Sequence, residues 1–239
     1  MNEVVVVKNL KKEIELAQGN VLEVLSDISF EIKQGEFVSI VGPSGSGKST
    51  LLYCISSLLP PTEGEVLIKG KSPYEWSASK LAKFRRQEIG FIFQDYHFQD
   101  YQLIPSLSAF DNLMLPGILN GRKIEKSSVE AIATRLELKV ELNQPIDALS
   151  GGEQQRVAIA RTILANPEII FLDEPTSALD THSRKLTMGL FHELVGQGKT
   201  IIMVTHDLEL AEKTSRTIVM RDGKIERDIE LTQFNTVTI

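Results

Sequence analysis

A glycine-rich segment early in the chain has the residue types and spacing of a phosphate-binding loop. Its residues are Gly42, Pro43, Ser44, Gly45, Ser46, Gly47, Lys48, Ser49 and Thr50. The segment matches G-x-x-x-x-G-K-[ST] and stands between an apolar run and a helical pattern, which is the context that this motif requires. Its glycines allow backbone N–H groups to point at phosphate oxygens. Lys48 would reach the β- and γ-phosphates, and the Ser49 hydroxyl would bind Mg²⁺.

Two acidic residues follow directly on a second apolar run. The run is Ile169–Leu172, and Asp173 and Glu174 come next. Nucleotide hydrolysis needs a metal-binding carboxylate at the end of a neighbouring strand, and Asp173 suits the Mg²⁺ shell. Glu174 suits a general base that orients the attacking water. Two acids at a strand end are by themselves ordinary solvated residues, and the phosphate loop is what favours the catalytic interpretation.

A third group of residues predicts a second anion site. Ser150, Gly151, Gly152 and Glu153 follow Leu149 where a helical pattern begins. The spacing Ser-x-x-Glu is typical of a capping box, and the free N–H groups of a helix start attract anions. The two roles are compatible. Two anion sites with one set of catalytic acids suggest a dimer, in which the second subunit completes one site.

These residues require an α/β scaffold to position them. Four apolar runs predict core strands of a largely parallel sheet, because strands covered by helices are apolar on both faces. They are Phe37–Val41, Ile89–Phe93, Ile169–Leu172 and Thr200–Val204. Shorter runs bounded by glycine turns predict an antiparallel satellite sheet. They are Val4–Val7, Ile28–Ile32, Val66–Ile68 and Ile218–Met220.

Residues from about 94 to 166 are predicted to form a helical insertion in this core, because the strand signal disappears there. Ser127-x-x-Glu130 has the capping-box pattern. Val129, Ile132 and Leu136 then fall on one helical face. No linker rich in Pro, Gly or Ser separates the segment from the rest, so we expect residues 1–239 to form one domain.

Together these motifs resemble those of the ABC-type ATPase family, and the resemblance covers nearly the whole chain. The matching segments are Gly42–Ser49 (Walker A), Gln94 (Q-loop), Leu149–Gln154 (signature), Ile169–Glu174 (Walker B), Ser177–Asp180 (D-loop) and His206 (switch histidine). In the family the glutamine senses Mg²⁺ and the attacking water, and the histidine contacts the γ-phosphate. The resemblance therefore implies catalytic roles for Gln94 and His206, with Gln94 also at the metal.

The resemblance also implies a fold, an activity and partners. The fold is a P-loop NTPase (RecA-like) core with an antiparallel β subdomain and a helical insertion, and the activity is hydrolysis of ATP with Mg²⁺. In the family two subunits sandwich two ATP molecules. A second copy of this chain would then place Ser150, Gly151 and Gly152 on the γ-phosphate bound to the first. ATP binding would close the dimer, and hydrolysis would reopen it.

Two features depart from the family pattern. The family usually places an aromatic residue ahead of the Walker A strand to stack on adenine, and Ile14 occupies that place here. We expect apolar contact with adenine and weak base selectivity. The second departure is a near-tandem repeat, Gln94–Phe98 followed by Gln99–Leu103, so that Gln99 competes with Gln94 for the sensor role. The repeat is either a tolerated loop duplication or a loop remodelled for contact with a partner.

Composition restricts the class of protein and its location. The 239 residues are 42% hydrophobic and 24% charged, which is typical of a soluble globular protein, and the net charge is −6. An acidic chain lacks the basic footprint of a nucleic-acid binder, so we expect no nucleic-acid partner. No apolar run approaches the ~18 residues of a membrane span. Cys54 as the single cysteine fits a reducing cytosol. We expect a peripheral location on the cytoplasmic face of the cell membrane, held by a transmembrane permease subunit.

Softer signals favour one branch of the family. Leu103–Ala109 followed by Asp111–Pro116 resembles the bacterial branch that includes lipoprotein-release, macrolide-efflux and antimicrobial-peptide-resistance ATPases. The branch implies an ATPase of the export or mechanotransmission type. Two alternatives stay open: the ATPase of an importer, and a non-transport coupling module that acts on a membrane protein in cell division or signalling. The membrane protein that co-purifies with the chain would separate the three.

Overall fold

The computed structural model describes residues 2–93, 103–138 and 142–231. The strands are β1 (Glu3–Glu15), β2 (Val21–Lys33), β3 (Phe37–Val41), β4 (Glu63–Ile68), β5 (Ile89–Ile92), β6 (Ile169–Asp173), β7 (Thr200–Val204), β8 (Arg216–Arg221) and β9 (Lys224–Glu230). The helices are α1 (Lys48–Ile55), α2 (Ala78–Glu88), α3 (Ala109–Asn120), α4 (Lys126–Arg135), α5 (Gly151–Ala165), α6 (Thr181–Gly196) and α7 (Leu208–Ala211). Among the described residues, none of these helices has the length and apolar character to span a membrane.

A six-stranded sheet in the order β5-β6-β7-β3-β8-β9 forms the centre of the molecule. Its strands run parallel except β9, which pairs antiparallel with β8. All residues of β3, β6 and β7 are buried. The predicted core strands are thus confirmed, and helices cover both faces as the apolar pattern required. Because parallel strands end at one edge, the residues that follow β3, β6 and β7 meet there.

A second sheet of three strands, in the order β2-β1-β4, is antiparallel as predicted. The assignment of Ile218–Met220 to it is wrong. These residues belong to β8, which pairs parallel with β3 through Val38↔Arg216 and Val41↔Val219. The glycine turn after β8 does produce an antiparallel hairpin with β9. The glycine turn predicts only the pairing with β9, the next strand along the chain. The pairing with β3 joins residues that are far apart in sequence.

In the described part of the predicted helical segment lie the three α-helices α3, α4 and α5. Val129, Ile132 and Leu136 are buried as their spacing indicated. The capping box predicted at Ser127-x-x-Glu130 is wrong, because α4 begins at Lys126 and has no side-chain cap. Ser127 therefore lies inside the first turn, where its hydroxyl is past the capping position.

Two hydrophobic clusters hold these layers together. One joins the two sheets and α1, with Leu51, Ile68 and Phe171 fully buried in it. The other runs from Phe37 of β3 to Val129 of α4. The helical segment thus shares its buried core with the main sheet.

Candidate active site

The phosphate-binding loop predicted from the sequence lies between β3 and α1. Gly42 and Gly47 have φ values of 152° and 93°. A Cβ atom on Gly42 would come within 2.2 Å of the Met220 carbonyl oxygen, so the loop lies tightly against β8. Pro43, Ser44 and Gly45 are exposed, whereas Ser46 is buried. This geometry leaves the outer turn of the loop open to a ligand while its base is fixed by packing.

Lys48 begins α1 and lies over the loop. Its Nζ donates hydrogen bonds to the carbonyl oxygens of Gly42 at 2.9 Å and Pro43 at 2.8 Å. The ammonium group is therefore placed at the mouth of the loop, above backbone N–H groups at a helix start. A cation and a helix N-terminus together favour an anion such as a phosphate. Thr50 follows on the same helix and is half-buried.

Asp173 ends β6 with both carboxylate oxygens hydrogen-bonded. Ser49 Oγ donates to Oδ1 at 3.1 Å, and the Tyr53 hydroxyl donates to Oδ2 at 2.8 Å. Burial raises the pKa of the Asp173 carboxyl, and the bonds from Tyr53 and Ser49 oppose that rise. Ser49 and Asp173, each predicted separately from the sequence to bind Mg²⁺, thus lie side by side. Sequence reasoning missed Tyr53, although its spacing of four residues from Ser49 puts both on one face of α1.

Glu174 follows in a left-handed backbone conformation, with φ of 47°. It is 9% exposed, and its Oε1 accepts a hydrogen bond from the His206 backbone N–H at 2.8 Å and lies 2.7 Å from His206 Nδ1. Thr205 Oγ1 donates to the second oxygen, Oε2, at 3.4 Å. The structure thus joins Glu174 and His206, which are far apart in sequence. Thr205 had no motif to reveal it.

The predicted capping box at the start of α5 is confirmed. Ser150 Oγ accepts from the Glu153 N–H at 3.4 Å, and Glu153 Oε2 accepts from the Ser150 N–H at 2.8 Å. Hydrogen bonds from the Ser150 side chain and backbone hold the pKa of Glu153 below its usual value. Gly151 and Gly152 form the first turn, and a Cβ atom on Gly152 would lie 3.2 Å from the Ala178 carbonyl oxygen.

Contacts from α5 run to the residues that follow Glu174. Gln155 Nε2 donates to the Pro175 carbonyl oxygen at 3.0 Å, and this contact is buried. Arg156 donates to Ser183 Oγ at 3.1 Å. Ser183 Oγ in turn donates to Asp180 Oδ2 at 2.6 Å. The helix start at which the sequence predicts a second anion site is therefore attached to the segment that follows Asp173 and Glu174.

Ile14 lies toward the tip of the β1–β2 hairpin, paired with Leu22. It is 41% exposed, and Leu16, Val21 and Leu22 beside it are exposed as well. Further down the same hairpin, Leu25 packs against Gly47 closely enough that a Cβ there would be 2.8 Å from Leu25 Cδ2. An apolar hairpin end thus extends from the flank of the phosphate loop. Gln94 and Gln99 lie outside the described residues, and so does the repeat except Leu103.

A groove of about 840 Å³ lies between α2 and α3 and is lined by Tyr53 of α1. We call it the α2–α3 groove. Its walls are mostly apolar and include Tyr53, Leu59, Phe91, Phe93, Leu115 and Leu119, with Arg85, Arg86 and Arg161 among them. Arg86 Nε donates to Asn120 Oδ1 at 3.1 Å, and Asn120 Nδ2 donates to the Arg86 carbonyl at 3.2 Å, which ties α2 to α3. Burial lowers the pKa of the Arg161 guanidinium to about 10.

Fold and site together define a class of protein. A phosphate loop after β3, acids after β6 and a histidine after β7 are the parts of a P-loop nucleoside triphosphatase. The antiparallel sheet and the helical segment are the two additions to this core that the resemblance to ABC-type ATPases implied. The sequence profile of the family described as "ABC transporter" matches residues 25–177. The chain belongs to the ABC transporter family and is one of its ATP-binding cassettes.

Relatives differ in how much of their length this chain spans. The chain is 43% identical over 231 residues to the lipoprotein-releasing system ATP-binding protein LolD of Aquifex aeolicus, covering 96% of this chain and 99% of the relative. It is 40% identical over 225 residues to the macrolide export ATP-binding/permease protein MacB of Bdellovibrio bacteriovorus, covering 94% of this chain and 34% of the relative. This chain therefore spans about a third of that second relative.

Solved structures agree with the fold. The dimeric structure of MJ0796, described as a bacterial ABC transporter cassette, superposes with a TM-score of 0.87 at 40% identity, over 96% of this chain and 100% of that one. A second structure of MJ0796 is dimeric, in a post-hydrolysis state bound to ADP and phosphate, with the same TM-score, identity and coverage. The uncharacterized ABC transporter ATP-binding protein MJ0796 of Methanocaldococcus jannaschii is 41% identical to this chain over 236 residues, covering 95% of this chain and 97% of that one.

Proposed function

We propose that this chain hydrolyses ATP as the nucleotide-binding subunit of a bacterial ABC transporter of the export or mechanotransmission type. The observation that carries the proposal is the pairing of Glu174 with His206 at 2.7 Å, next to the pairing of Ser49 with Asp173 at 3.1 Å. One pair suits a water-activating base and the other a metal-bound phosphate. Both lie at the edge of the sheet that carries the phosphate loop.

The residues at the loop suit Mg²⁺ and phosphate. Mg²⁺ prefers oxygen ligands and is held in nucleotide sites by one or two protein groups together with phosphate oxygens and water. Ser49 Oγ and Asp173 Oδ1 supply such oxygens side by side. We infer that these two residues hold Mg²⁺, with Gln94 as the third ligand that the family resemblance implies. Mg²⁺, when bound, neutralises the charge that develops on the phosphates.

Glu174 is proposed as the general base. A base must be held in one orientation within reach of the water whose proton it accepts. The His206 backbone N–H and ring, together with the Thr205 hydroxyl, hold both oxygens of the Glu174 carboxylate. The His206 side chain is 74% exposed, so its ring is open to a phosphate at the mouth of the site. We infer that His206 orients Glu174 and contacts the γ-phosphate.

The start of α5 is proposed to act on a nucleotide bound to a second copy of the chain. Gly151 and Gly152 form the first turn of α5, where backbone N–H groups have no partner within the helix, and Ser150 adds a hydroxyl. The dimeric structures of MJ0796 support this arrangement by analogy. The Ile14 hairpin end beside the loop would give the adenine apolar contact.

We further infer that residues 1–239 form one ATPase domain, with residues 94 to 166 as an inserted helical subdomain. The buried cluster that extends from Phe37 to Val129 supports this division. A transmembrane permease subunit is the proposed partner, placed at the α2–α3 groove. The macrolide export relative, which is named as both ATP-binding protein and permease, supports the pairing. Such a partner would hold the chain on the cytoplasmic face of the membrane.

Release of phosphate from ATP by the purified chain tests the activity. We expect hydrolysis with Mg²⁺ and a loss of nucleotide binding in Lys48→Ala, by about tenfold or more, because a charged hydrogen bond to phosphate is removed. The matched control is Lys8→Ala, which removes a surface lysine paired with Glu65. A fluorescent ATP analogue measures the affinity, and wild-type affinity in Lys48→Ala would contradict the phosphate-loop assignment.

Co-purification from membranes tests the partner. A membrane protein with few helices and a large extracytoplasmic domain would support the export or mechanotransmission assignment. A many-helix permease accompanied by a substrate-binding protein would instead identify an importer. A partner of neither kind, with no transport activity, would identify a coupling module.

A further inference from the structure

We propose that Tyr53 is a positioning residue that joins the α2–α3 groove to the carboxylate of Asp173. Its hydroxyl fixes that carboxylate for Mg²⁺, and its ring forms part of the groove wall. The inference rests on the proposed function for the identity of the metal. Neither the loop motif nor the acidic motif assigns a role to this position.

The hydroxyl end of Tyr53 completes the surroundings of Asp173. The bond from the hydroxyl to Oδ2 is 2.8 Å long, and Ser49 Oγ already occupies Oδ1 at 3.1 Å. With a donor on each oxygen, the carboxylate has one orientation. Metal-binding carboxylates depend on such partners, and their loss typically weakens metal binding by about 10- to 100-fold.

The ring end of Tyr53 lies in the groove. The ring lines the groove next to Phe91 and Phe93, at centroid distances of 6.1 Å and 6.2 Å. Phe91 and Phe93 stack on one another at 4.0 Å. A tyrosine ring is rigid, so a displacement of the ring in the groove also displaces its hydroxyl at Asp173. One side chain thus connects the two sites.

A magnesium titration of the isolated chain tests the hydroxyl end. Tyr53→Phe removes the hydroxyl and keeps the ring. We expect the Mg²⁺ concentration for half-maximal tightening of a fluorescent ADP analogue to rise by about tenfold or more, since an orienting partner is lost. Binding of the same analogue in EDTA should be unchanged, because Tyr53 contacts the metal-binding carboxylate and not the phosphate loop.

The matched control is Tyr74→Phe. The Tyr74 hydroxyl is also hydrogen-bonded, to the carbonyl oxygens of Cys54 at 2.5 Å and Leu59 at 2.6 Å, but not to Asp173. This variant should melt at a lower temperature and keep the wild-type Mg²⁺ requirement. A wild-type Mg²⁺ requirement in Tyr53→Phe, or an equal rise in both variants, would overturn the role of the hydroxyl.

An environment-sensitive thiol label tests the link to the groove. Leu119 lines the groove and is 53% exposed, so Leu119→Cys accepts the label. The native Cys54 is fully buried, and burial also raises the pKa of its thiol, so we expect that thiol to stay unlabelled. Adding Mg²⁺ and ADP should shift the label's emission, and Tyr53→Phe should reduce that shift by about half or more while Tyr74→Phe preserves it.

The same shift in all three backgrounds would overturn the link. Both measurements use nucleotide binding by the isolated chain. A chain that binds Mg²⁺ and ADP but hydrolyses no ATP, or that captures no membrane protein, would contradict the proposed function. The role of Tyr53 would still be decided by the magnesium titration and the label.

Discussion

Glu174 owes its orientation to its backbone as much as to its partners. Its φ of 47° is a conformation that costs a non-glycine residue about 1–3 kcal/mol and that persists only where surrounding contacts enforce it. The contacts are the Glu174 N–H to the Val204 carbonyl at 3.0 Å and the carboxylate to His206. The Glu174 carboxylate contacts Thr205 and His206, which follow β7. We infer that this strained turn keeps the proposed base in one place.

Replacing the His206 ring should therefore impair turnover more than binding. In His206→Ala the backbone N–H still holds Glu174, but the ring contact at 2.7 Å is lost. We expect kcat to fall by about a hundredfold, as for the loss of positioned acid–base chemistry, with little change in ATP affinity. Steady-state hydrolysis and analogue binding measure the two quantities.

His182→Ala is the matched control, because His182 Nε2 lies 3.1 Å from Glu137 in an exposed histidine–glutamate pair. It should keep the wild-type kcat. A wild-type kcat in His206→Ala would remove the histidine from the mechanism.

Motifs of contiguous residues revealed the loop, the acids and the capped helix start, because each works through backbone geometry within one or two turns. Tyr53 and Thr205 were not found. Each makes its contact across the sheet edge, and the contact depends on which strands are neighbours. The pairing of Glu174 with His206 was not predicted, because the family resemblance implied only a contact between His206 and the γ-phosphate and the residues alone fix no distance between the two side chains.

Among the elements, the first two turns of α5 have two structural roles. Ser150 and Glu153 cap the helix, while Gln155 and Arg156 attach it to Pro175 and Ser183. The first two turns of α5, where we propose a second anion site, are therefore hydrogen-bonded to the segment that follows Glu174.

Removing the N-cap serine should distinguish its contribution to stability from its contribution to hydrolysis. Ser150→Ala and Ser108→Ala each delete an N-cap serine, the second at the start of α3. We expect each to lower the free energy of unfolding by about 1 kcal/mol, measured with urea. Only Ser150→Ala should also impair ATP hydrolysis. Equal hydrolysis by the two variants would show that Ser150 has a capping role alone.

The cap of α6 gives a pH dependence of stability. Asp180 accepts hydrogen bonds from the Ser183 hydroxyl and from the N–H groups of Ser183 and His182. These bonds lower the pKa of Asp180 from 3.8 to about 2. The unfolded chain thus takes up the proton first as the pH falls. The stabilisation is present above pH 4 and disappears as the pH approaches 2.

Asp180→Asn should lack this dependence, because an amide oxygen still caps the helix but does not titrate. The difference in urea midpoint between wild type and Asp180→Asn should shrink as the pH falls from 4 toward 2. A constant difference over that interval would mean that the cap does not depend on the charge.

The sequence predicted the order of the elements along the chain better than it predicted which strands pair with one another. Uniformly apolar runs identified β3, β6 and β7 because buried parallel strands have no polar face. Ile218–Met220 was assigned to the wrong sheet because the hairpin turn that follows these residues predicts only the antiparallel pairing with β9. The parallel pairing with β3 on the other side has no signal in the local sequence. β1 and β2 are each 13 residues long, well beyond the predicted runs. Their outer halves mix polar and apolar residues, so that Ile14 pairs with Leu22 while Lys11 forms an ion pair with Glu23.

At the scale of the whole molecule, one sheet edge collects the phosphate loop, Asp173, Glu174 and His206. The start of α5 is held instead by Pro175, Ala178 and Ser183. We infer that a second copy of the chain supplies this start to the nucleotide and that hydrolysis by Glu174 ends the association.

The most direct measurement is the mass of Glu174→Gln in solution with ATP and Mg²⁺, by sedimentation velocity. Glutamine keeps the size of the side chain but cannot accept the proton of the attacking water. We predict that this variant binds ATP, releases no phosphate and doubles its mass with ATP but not with ADP, while Lys48→Ala stays monomeric with either. A variant that hydrolyses ATP near the wild-type rate, or that stays monomeric with ATP bound, would contradict the account.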